Sequence, residues 1–343
     1  MSAVPSHAAV YHPPRRLIVE ERPLPEPGAG EARVRVRACG VCGTDLHFFH
    51  LGALAAGHVP GHEIAGVVDA LGPGVSGLRL GEPVAVEPLR SCGTCPACRA
   101  GRHSICPNAR LFGIHEPGGF AEHLVVPAAR LFRVPADLSF PLAALAEPLA
   151  VCVHGVERGG GAAGKRVLVI GAGTIGLLSV LAARAAGAAE VRLTARHPHQ
   201  AALGSALGAS RVLPEAEATP EALARDSSAE LVIETVGGSA DTLRSAGAAL
   251  APGGSVSVLG VFTGAVSLDA FPLLLKEATL AWSNCYAQGP GRPDFECAIA
   301  LLSDERERLA PLLTHQRPLG EIEAAFALAS DKRAGAVKVT VLT

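Results

Sequence analysis

The run Arg166-Val-Leu-Val-Ile170, followed directly by Gly171-Ala-Gly173-Thr174-Ile175-Gly176, constrains this chain more than any other stretch. A short block of Val, Leu and Ile predicts a strand buried on both faces, and the apolar residues from Thr174 to about Gly187 predict a helix packed back against it. Only a sharp turn fits between them. The first glycine permits the turn, the second lets the backbone approach a pyrophosphate, and the third lets helix and strand pack closely. Unpaired amides near Thr174 and Ile175, with the positive end of the helix dipole, would meet the phosphates. Val167–Gly187 is apolar apart from Arg184, but its glycines suit strand, turn and helix better than roughly 20 residues in lipid. A glycine turn without a ligand is the bland alternative, and the strand-turn-helix context speaks against it.

The rest of the chain falls into place around that unit. Glu190–Thr194, Ala229–Thr235 and Ser255–Gly260 are further strand candidates with helical spacers, which predicts an α/β, doubly wound parallel sheet of the Rossmann type. Upstream the style differs. Ala32–Arg37 alternates apolar with arginine, Ile64–Leu71 and Pro83–Val86 are strand-like, and Gly and Pro recur at short intervals, predicting a mostly-β antiparallel barrel or sandwich. A helix is expected over Leu149–Glu157, then a break at Gly159–Gly164. Downstream, Gly289–Pro293 breaks the pattern, Phe295–Ser303 reads as a helix and Ala336–Leu342 as a strand. At 343 residues the chain suits two domains of about 100–200 residues each: a first domain over 1–150, a nucleotide domain over 151–286, and a segment over 287–343 that returns to the first.

Cofactor choice is read at the end of the second strand, about 20 residues past the glycines, where an acid would hold a ribose diol. Ala195 stands 19 positions past Gly176, and the local text is Thr194-Ala195-Arg196-His197. No acid is there. Arginine offers a bidentate partner to a 2′-phosphate, so NADP(H) is expected over NAD(H), with Arg196 as main discriminator and Thr194 and His197 as helpers. The bland reading of Arg196 is a solvated loop residue.

Nine cysteines in a chain whose first 17 residues show no export pattern argue for thiol chemistry in the cytoplasm rather than disulfides. Cys92, Cys95 and Cys98, followed by Cys106, have the short spacing of a closed zinc site. The formal net charge of −2 leaves no positive surplus for phosphate backbones, so a nucleic-acid finger is not expected and the partner should be a small molecule. With 49% hydrophobic and 18% charged residues, the chain can bury large cores and is not a disordered tail.

A second constellation is spread out: Cys39-Gly-Val-Cys42-Gly-Thr44-Asp45-Leu-His47, then Gly61-His62-Glu63, then Glu147-Pro148. One thiolate, one imidazole and one or two carboxylates bind zinc while leaving a position for substrate. Taken with Gly118–His123 and the four-cysteine lobe, the chain here resembles the zinc-dependent medium-chain dehydrogenases of the alcohol dehydrogenase superfamily, in particular the sorbitol and threonine dehydrogenase branch, over essentially its whole length.

The resemblance implies a GroES-like catalytic domain holding two zinc ions. The catalytic one would sit on Cys42, His62 and a carboxylate, Glu147 being favoured in the resting site and Glu63 able to reach the metal. The structural one would sit on Cys92, Cys95, Cys98 and Cys106, in a lobe over about 90–110. Asp45 would orient His62. Thr44 and His47 would pass the substrate proton to solvent, although either could merely serve a turn. The implied reaction interconverts a secondary alcohol (a polyol, cyclitol, sugar alcohol or amino alcohol) and its ketone by hydride transfer. A broad secondary-alcohol dehydrogenase acting as a ketone reductase is an alternative, and a non-catalytic NADPH-binding zinc protein is an alternative of another class. A homodimer or homotetramer joined through the nucleotide domain is implied, with Phe271–Trp282 as a candidate edge. Cys39, Cys152, Cys285 and Cys297 read as packing residues, and His50 and His58 as loop or wall residues.

Overall fold

The computed structural model describes residues 5–288 and 291–343; the first four residues of the stretch read as carrying no export pattern, and positions 289 and 290 of the expected Gly289–Pro293 break, lie outside the described residues. The chain divides into two units, 1–147 with 288–343, and 148–287.

In the first unit the alternating run becomes the strand Glu31–Gly40, the spine of a seven-stranded sheet. Val34 and Val36 point into the core while Arg35 is exposed, the period-2 outcome that the pattern predicts. One side of this strand pairs antiparallel with Glu63–Leu71, and that strand in turn with Pro83–Val86. The other side is shared: His123–Pro127 covers Glu31–Arg35, and the C-terminal strand Val339–Leu342 covers Ala38–Gly40. The last three residues of the spine, Ala38, Cys39 and Gly40, are therefore buried on both faces. Phe326, on the helix Ile322–Ser330, meets Phe49 and Phe120 edge to face at 5.2 and 5.6 Å. Cys39 lies in the same core at 0% exposure, as a small apolar side chain does.

The second unit is a six-stranded parallel sheet in the order Arg211–Pro214, Glu190–Ala195, Arg166–Ile170, Ala229–Glu234, Leu250–Val258, Thr279–Trp282. The chain runs outward from Arg166–Ile170 to one edge, then restarts beside it and runs to the other. That restart is a topological switch point, where α/β sheets bind ligands at the carboxyl ends of their strands. The glycine loop leaves Arg166–Ile170 there. Leu177, Leu178 and Val180 of the helix Thr174–Ala185 are fully buried, so Val167–Gly187 resolves into strand, turn and helix. Only the run over 140–158 is, among the described residues, long and apolar enough to cross a membrane, and 67% of it is buried inside the protein.

Boundaries move where pairing overrides local pattern. The strand expected from Ser255 begins at Leu250, because Ala229 pairs with Leu250 before a bulge shifts the register. The strand expected from Ala336 begins at Val339, where its parallel pairing with His315 starts, one residue before pairing with the spine at Thr340.

The glycines of the loop separate into two kinds. A Cβ on Gly176 would stand 1.8 Å from the Gly171 carbonyl oxygen, whereas one on Gly173 would meet nothing within 4 Å. Gly176→Ala is expected to destabilise the protein by about 1–3 kcal/mol, the cost of overpacking. Gly173→Ala is expected to keep the melting temperature while weakening dinucleotide binding. Thermal unfolding beside a cofactor titration checks both; equal effects of the two substitutions on stability would refute the division.

Candidate functional site

The four-cysteine lobe is built by backbone amides. Cys95 caps the short turn Pro96–Arg99, its sulfur accepting from the Cys98 N–H. Cys92 Sγ accepts from the Cys95 N–H at 3.4 Å, and Cys106 Sγ from the Asn108 N–H at 3.4 Å. All four sulfurs lie within 4.8 Å of one another. Cys92 Sγ is 3.9 Å from Cys98 Sγ and 3.5 Å from Cys106 Sγ. Zinc–sulfur bonds of about 2.3 Å place tetrahedral thiolates roughly 3.8 Å apart, so the lobe fits a closed zinc site. The N–H donors of Thr94 and Cys95 pull the Cys92 thiol down to about 5, which favours the thiolate a metal needs. None of the nine cysteines is in a disulfide among the described residues.

The second centre gathers around His62. Cys42 is the N-cap of the helix Gly43–Leu51, and its N–H donates to Asp45 Oδ2 at 2.9 Å. Asp45 is fully buried, and its other oxygen lies 3.4 Å from His62 Nδ1. That contact leaves Nε2 as the ring nitrogen for a ligand, the arrangement by which a carboxylate orients a metal-binding histidine. His62 and Glu147 are 4% and 7% exposed. Burial pushes the His62 imidazole down, but Asp45 and Cys42 raise it more, so it ends well above its ordinary value. Glu147, in the first turn of the helix Ala146–Arg158, is raised to about 7 by burial and by Glu63 and Asp45, against His62 and Lys338. Cys42, Asp45, Glu63 and Glu147 thus gather around His62 and Lys338, with Lys332 close enough to interact with Cys42 and Lys338. Sulfur, nitrogen and oxygen at Cys42, His62 and Glu147 are a donor set that fits a divalent cation. The grouping is looser than the four thiols, which are the cluster within this unit, among the described residues, whose ligand atoms all lie within 4.8 Å of one another.

Glu63 is otherwise engaged. Both its oxygens lie 2.6 Å from Lys338 Nζ, which also donates to the Val41 carbonyl at 3.2 Å. The pair is sealed from water, with Lys338 2% and Glu63 1% exposed. Gly40 makes room for it: a Cβ there would stand 1.9 Å from Glu63 Oε2. Sequence reasoning missed Lys338. Its only signal was a lysine within the otherwise apolar C-terminal strand pattern. Thr44 is half-buried beside Cys42, and His47, one turn on, is exposed. His50, read as a loop residue, meets Ser330 Oγ at 3.1 Å.

The glycine loop of the second unit is pinned from both sides. Gly171, at φ +100°, donates its N–H to Thr194 Oγ1 at 2.9 Å, and Thr235 Oγ1 donates to the Ile170 carbonyl at 2.8 Å. Thr194 is buried at 7% exposure, so its oxygen holds the loop. Glu234, also missed, is fully buried; its Oε1 accepts from the N–H groups of Val236 and Gly237 and from Thr242 Oγ1, at 2.7 to 3.0 Å. Gly173 caps the 12-residue helix bearing Thr174, Ile175 and Gly176, and the open space over its Cα is the cradle that a pyrophosphate would use. Arg196 is exposed and bound to Glu215 at 2.8 Å. His197 caps the helix Pro198–Ala206 and stacks on His199 at 5.5 Å.

Removing one partner of a buried ion pair costs about 3–5 kcal/mol because the other charge is left uncompensated. Lys338→Met should therefore lower the melting temperature by several degrees and reduce bound zinc, whereas Lys338→Met with Glu63→Gln should recover most of the stability. Calorimetry and metal analysis read both quantities. An unaltered melt in the single variant would show that the pair contributes nothing.

With this geometry in hand, the chain was compared with known proteins. The alcohol dehydrogenase GroES-like domain matches residues 28–136, and the zinc-binding dehydrogenase family matches residues 174–304. An L-threonine 3-dehydrogenase of Pyrococcus abyssi is 34% identical over 92% of either chain. A structure of a Sinorhizobium meliloti 1021 protein assigned as a zinc-binding dehydrogenase, bound to NADP, superposes with a TM-score of 0.87 at 32% identity, covering 99% of this chain and 100% of that one. Galactitol-1-phosphate dehydrogenase of Escherichia coli superposes with a TM-score of 0.90 at 29% identity, again over 99% and 100%. Two family matches that divide the chain as its sheets do, and relatives aligned from end to end, make this chain a member of the zinc-dependent medium-chain dehydrogenases, an oxidoreductase acting on CH–OH donors with threonine- and polyol-dehydrogenase relatives.

Proposed function

We propose that the protein oxidises a secondary alcohol carrying further polar groups, a polyol, cyclitol, sugar alcohol or amino alcohol, to its ketone, with NADP(H) preferred over NAD(H) and two zinc ions per chain. The gathering of half-buried Cys42 with buried His62 and Glu147 in one centre carries the reading. A non-catalytic binding module would have no need of an open metal position beside a threonine and a histidine. When bound, zinc supplies a Lewis acid for the alcohol oxygen and the nicotinamide supplies the hydride acceptor.

The chain's own residues do the rest. Cys42, His62 and Glu147 hold the metal, Asp45 keeps the imidazole in one tautomer, and Lys338 holds Glu63 aside as a reserve carboxylate. Thr44 and His47, three positions apart on one helix, share a face. Thr44 takes the hydroxyl proton, and the exposed His47 delivers it to water. Cys92, Cys95, Cys98 and Cys106 hold the structural metal. In the second unit, Gly171, Gly173 and Gly176 cradle the pyrophosphate with the amides of Thr174 and Ile175, while Arg196 and His197 meet the 2′-phosphate. NADP bound to the Sinorhizobium meliloti neighbour and the absence of an acid at Ala195 support that preference.

Polar substrates fit a carboxylate-containing centre, and the names of the relatives, threonine and galactitol-1-phosphate dehydrogenases, support that class. For assembly, the strand Thr279–Trp282 is, among the described residues, an edge of its sheet, with Phe271 69%, Leu274 71% and Trp282 51% exposed. Such an edge suits a homodimer or homotetramer. The free thiols suit the reducing cytoplasm.

A panel of polyols, amino alcohols and simple secondary alcohols, run with both cofactors on zinc-replete protein, tests the reading. Turnover of a polar secondary alcohol with NADP is expected, and Arg196→Asp should move preference toward NAD. No turnover anywhere in the panel, or a clear wild-type preference for NAD, would overturn the corresponding part. His47→Gln should slow oxidation chiefly at lower pH, since hydroxide can accept the proton directly when pH is high; a rate profile parallel to wild type at every pH would remove His47 from the relay.

A further inference from the structure

The residues that read the cofactor's ribose leave the sheet in positions fixed by backbone register. In the parallel ladder of Glu190–Ala195 with Arg211–Pro214, Ala195 is paired with Pro214. The next residue on each strand, Arg196 and Glu215, therefore emerges beside the other. Their side chains meet, Nη2 to Oε1, at 2.8 Å, with 68% and 65% exposure. Glu215 opens the turn Glu215–Glu217, closed by the Ala218 N–H on the Glu215 carbonyl at 3.1 Å, and Glu217 takes Arg211 at 2.8 Å. Each acid of the turn thus has its own arginine, and the ladder, rather than a chance of surface rotamers, delivers Glu215 to Arg196.

We propose that Glu215 is a second specificity-determining residue for the cofactor: it competes with a 2′-phosphate for Arg196 and so limits the NADP(H) preference that the arginine alone would confer. The inference rests on the reading of Arg196 above and names what tunes that same site. A phosphate monoester brings close to two negative charges at neutral pH. To bind Arg196 it must either displace the carboxylate from Nη2 or sit on the remaining N–H groups with that carboxylate a few ångströms away. Both arrangements are less favourable than with an uncharged neighbour. The 2′-hydroxyl of NAD(H) makes neither demand, so Glu215 acts on one cofactor and spares the other. Because the pair is exposed, its effect is modest and falls with salt.

The test measures dissociation constants of NADPH and NADH by fluorescence titration on zinc-loaded, full-length protein at low and high ionic strength. Glu215→Gln should bind NADPH roughly two- to fivefold tighter at low salt, Glu215→Lys more so, with NADH essentially unchanged. The gain should shrink at high salt and vanish when Glu215→Gln is combined with Arg196→Gln. Exposed positions make misfolding a minor concern, and melting curves verify it. If Arg196→Gln weakens NADPH but neither Glu215 variant alters the NADPH-to-NADH ratio, the proposal is overturned and the reading of Arg196 stands. An equal gain in the Arg196→Gln background overturns the competition, since repulsion alone would account for it. If Arg196→Gln leaves NADPH binding unchanged, both readings fall together.

Discussion

The catalytic unit depends on one contact made between residues far apart in sequence, the ion pair of Glu63 with Lys338. Two opposite charges without water are stable only when each is fully matched. Here three conditions meet. Lys338 reaches both carboxylate oxygens and the Val41 carbonyl, Gly40 supplies the space, and the C-terminal strand closes over the spine at Gly40. The spine residue Gly40 faces Glu63 across one ladder and Thr340 across the other, so the two charged residues are brought to a single point by strand register. Docking of the C-terminal strand on the spine is therefore what brings Lys338 to Glu63.

The pair also sets the electrostatics of the centre. Glu63 follows His62 directly in sequence, so an unpaired Glu63 would add a third carboxylate to those of Asp45 and Glu147 around a single imidazole. Lys338 neutralises it, which leaves Glu147 as the acid whose proton a cation can displace. Asp45 plays the complementary part: it meets the Cys42 amide with one oxygen and the His62 ring with the other, and so ties the N-cap of the helix Gly43–Leu51 to His62, fixing the helix from which Thr44 and His47 project.

Much of this was legible in the sequence, and the reasons are local. The strand, glycine turn and helix at 166–185 are encoded within about 20 consecutive residues, and so are the thiol spacing of Cys92–Cys106 and the alternation from Ala32. Asp45 could be singled out through the resemblance of the Cys42–His47 stretch to the family's motif. Lys338 and Glu234 could not. A lysine in an apolar strand reads as a solvated edge until the strand that buries it is known, and an acid ending a strand reads as a loop residue until the amides of Val236 and Gly237 turn back onto it. Strand limits slipped for the same reason: Leu250 and Val339 begin where a distant partner begins, and period-2 patterning carries no information about that.

The carboxyl end of Glu190–Ala195, proposed above to meet the cofactor's ribose, shows the distinction most plainly. Along a single strand, Thr194-Ala195-Arg196 contains no acid, and the natural inference is an opening for a doubly charged phosphate. Across the sheet the acid returns, carried by Glu215 on the neighbouring strand and delivered by the pairing of Ala195 with Pro214. Charge at a binding site is a property of everything within a Debye length, about 8 Å at physiological salt, and two parallel strands stand only about 4.8 Å apart. A rule that inspects one strand end therefore samples half of the relevant field. Where a parallel sheet binds its ligand at the strand ends, the residue that follows the last ladder pair on the adjacent strand belongs to the recognition site as much as the residue on the strand that conventionally defines it.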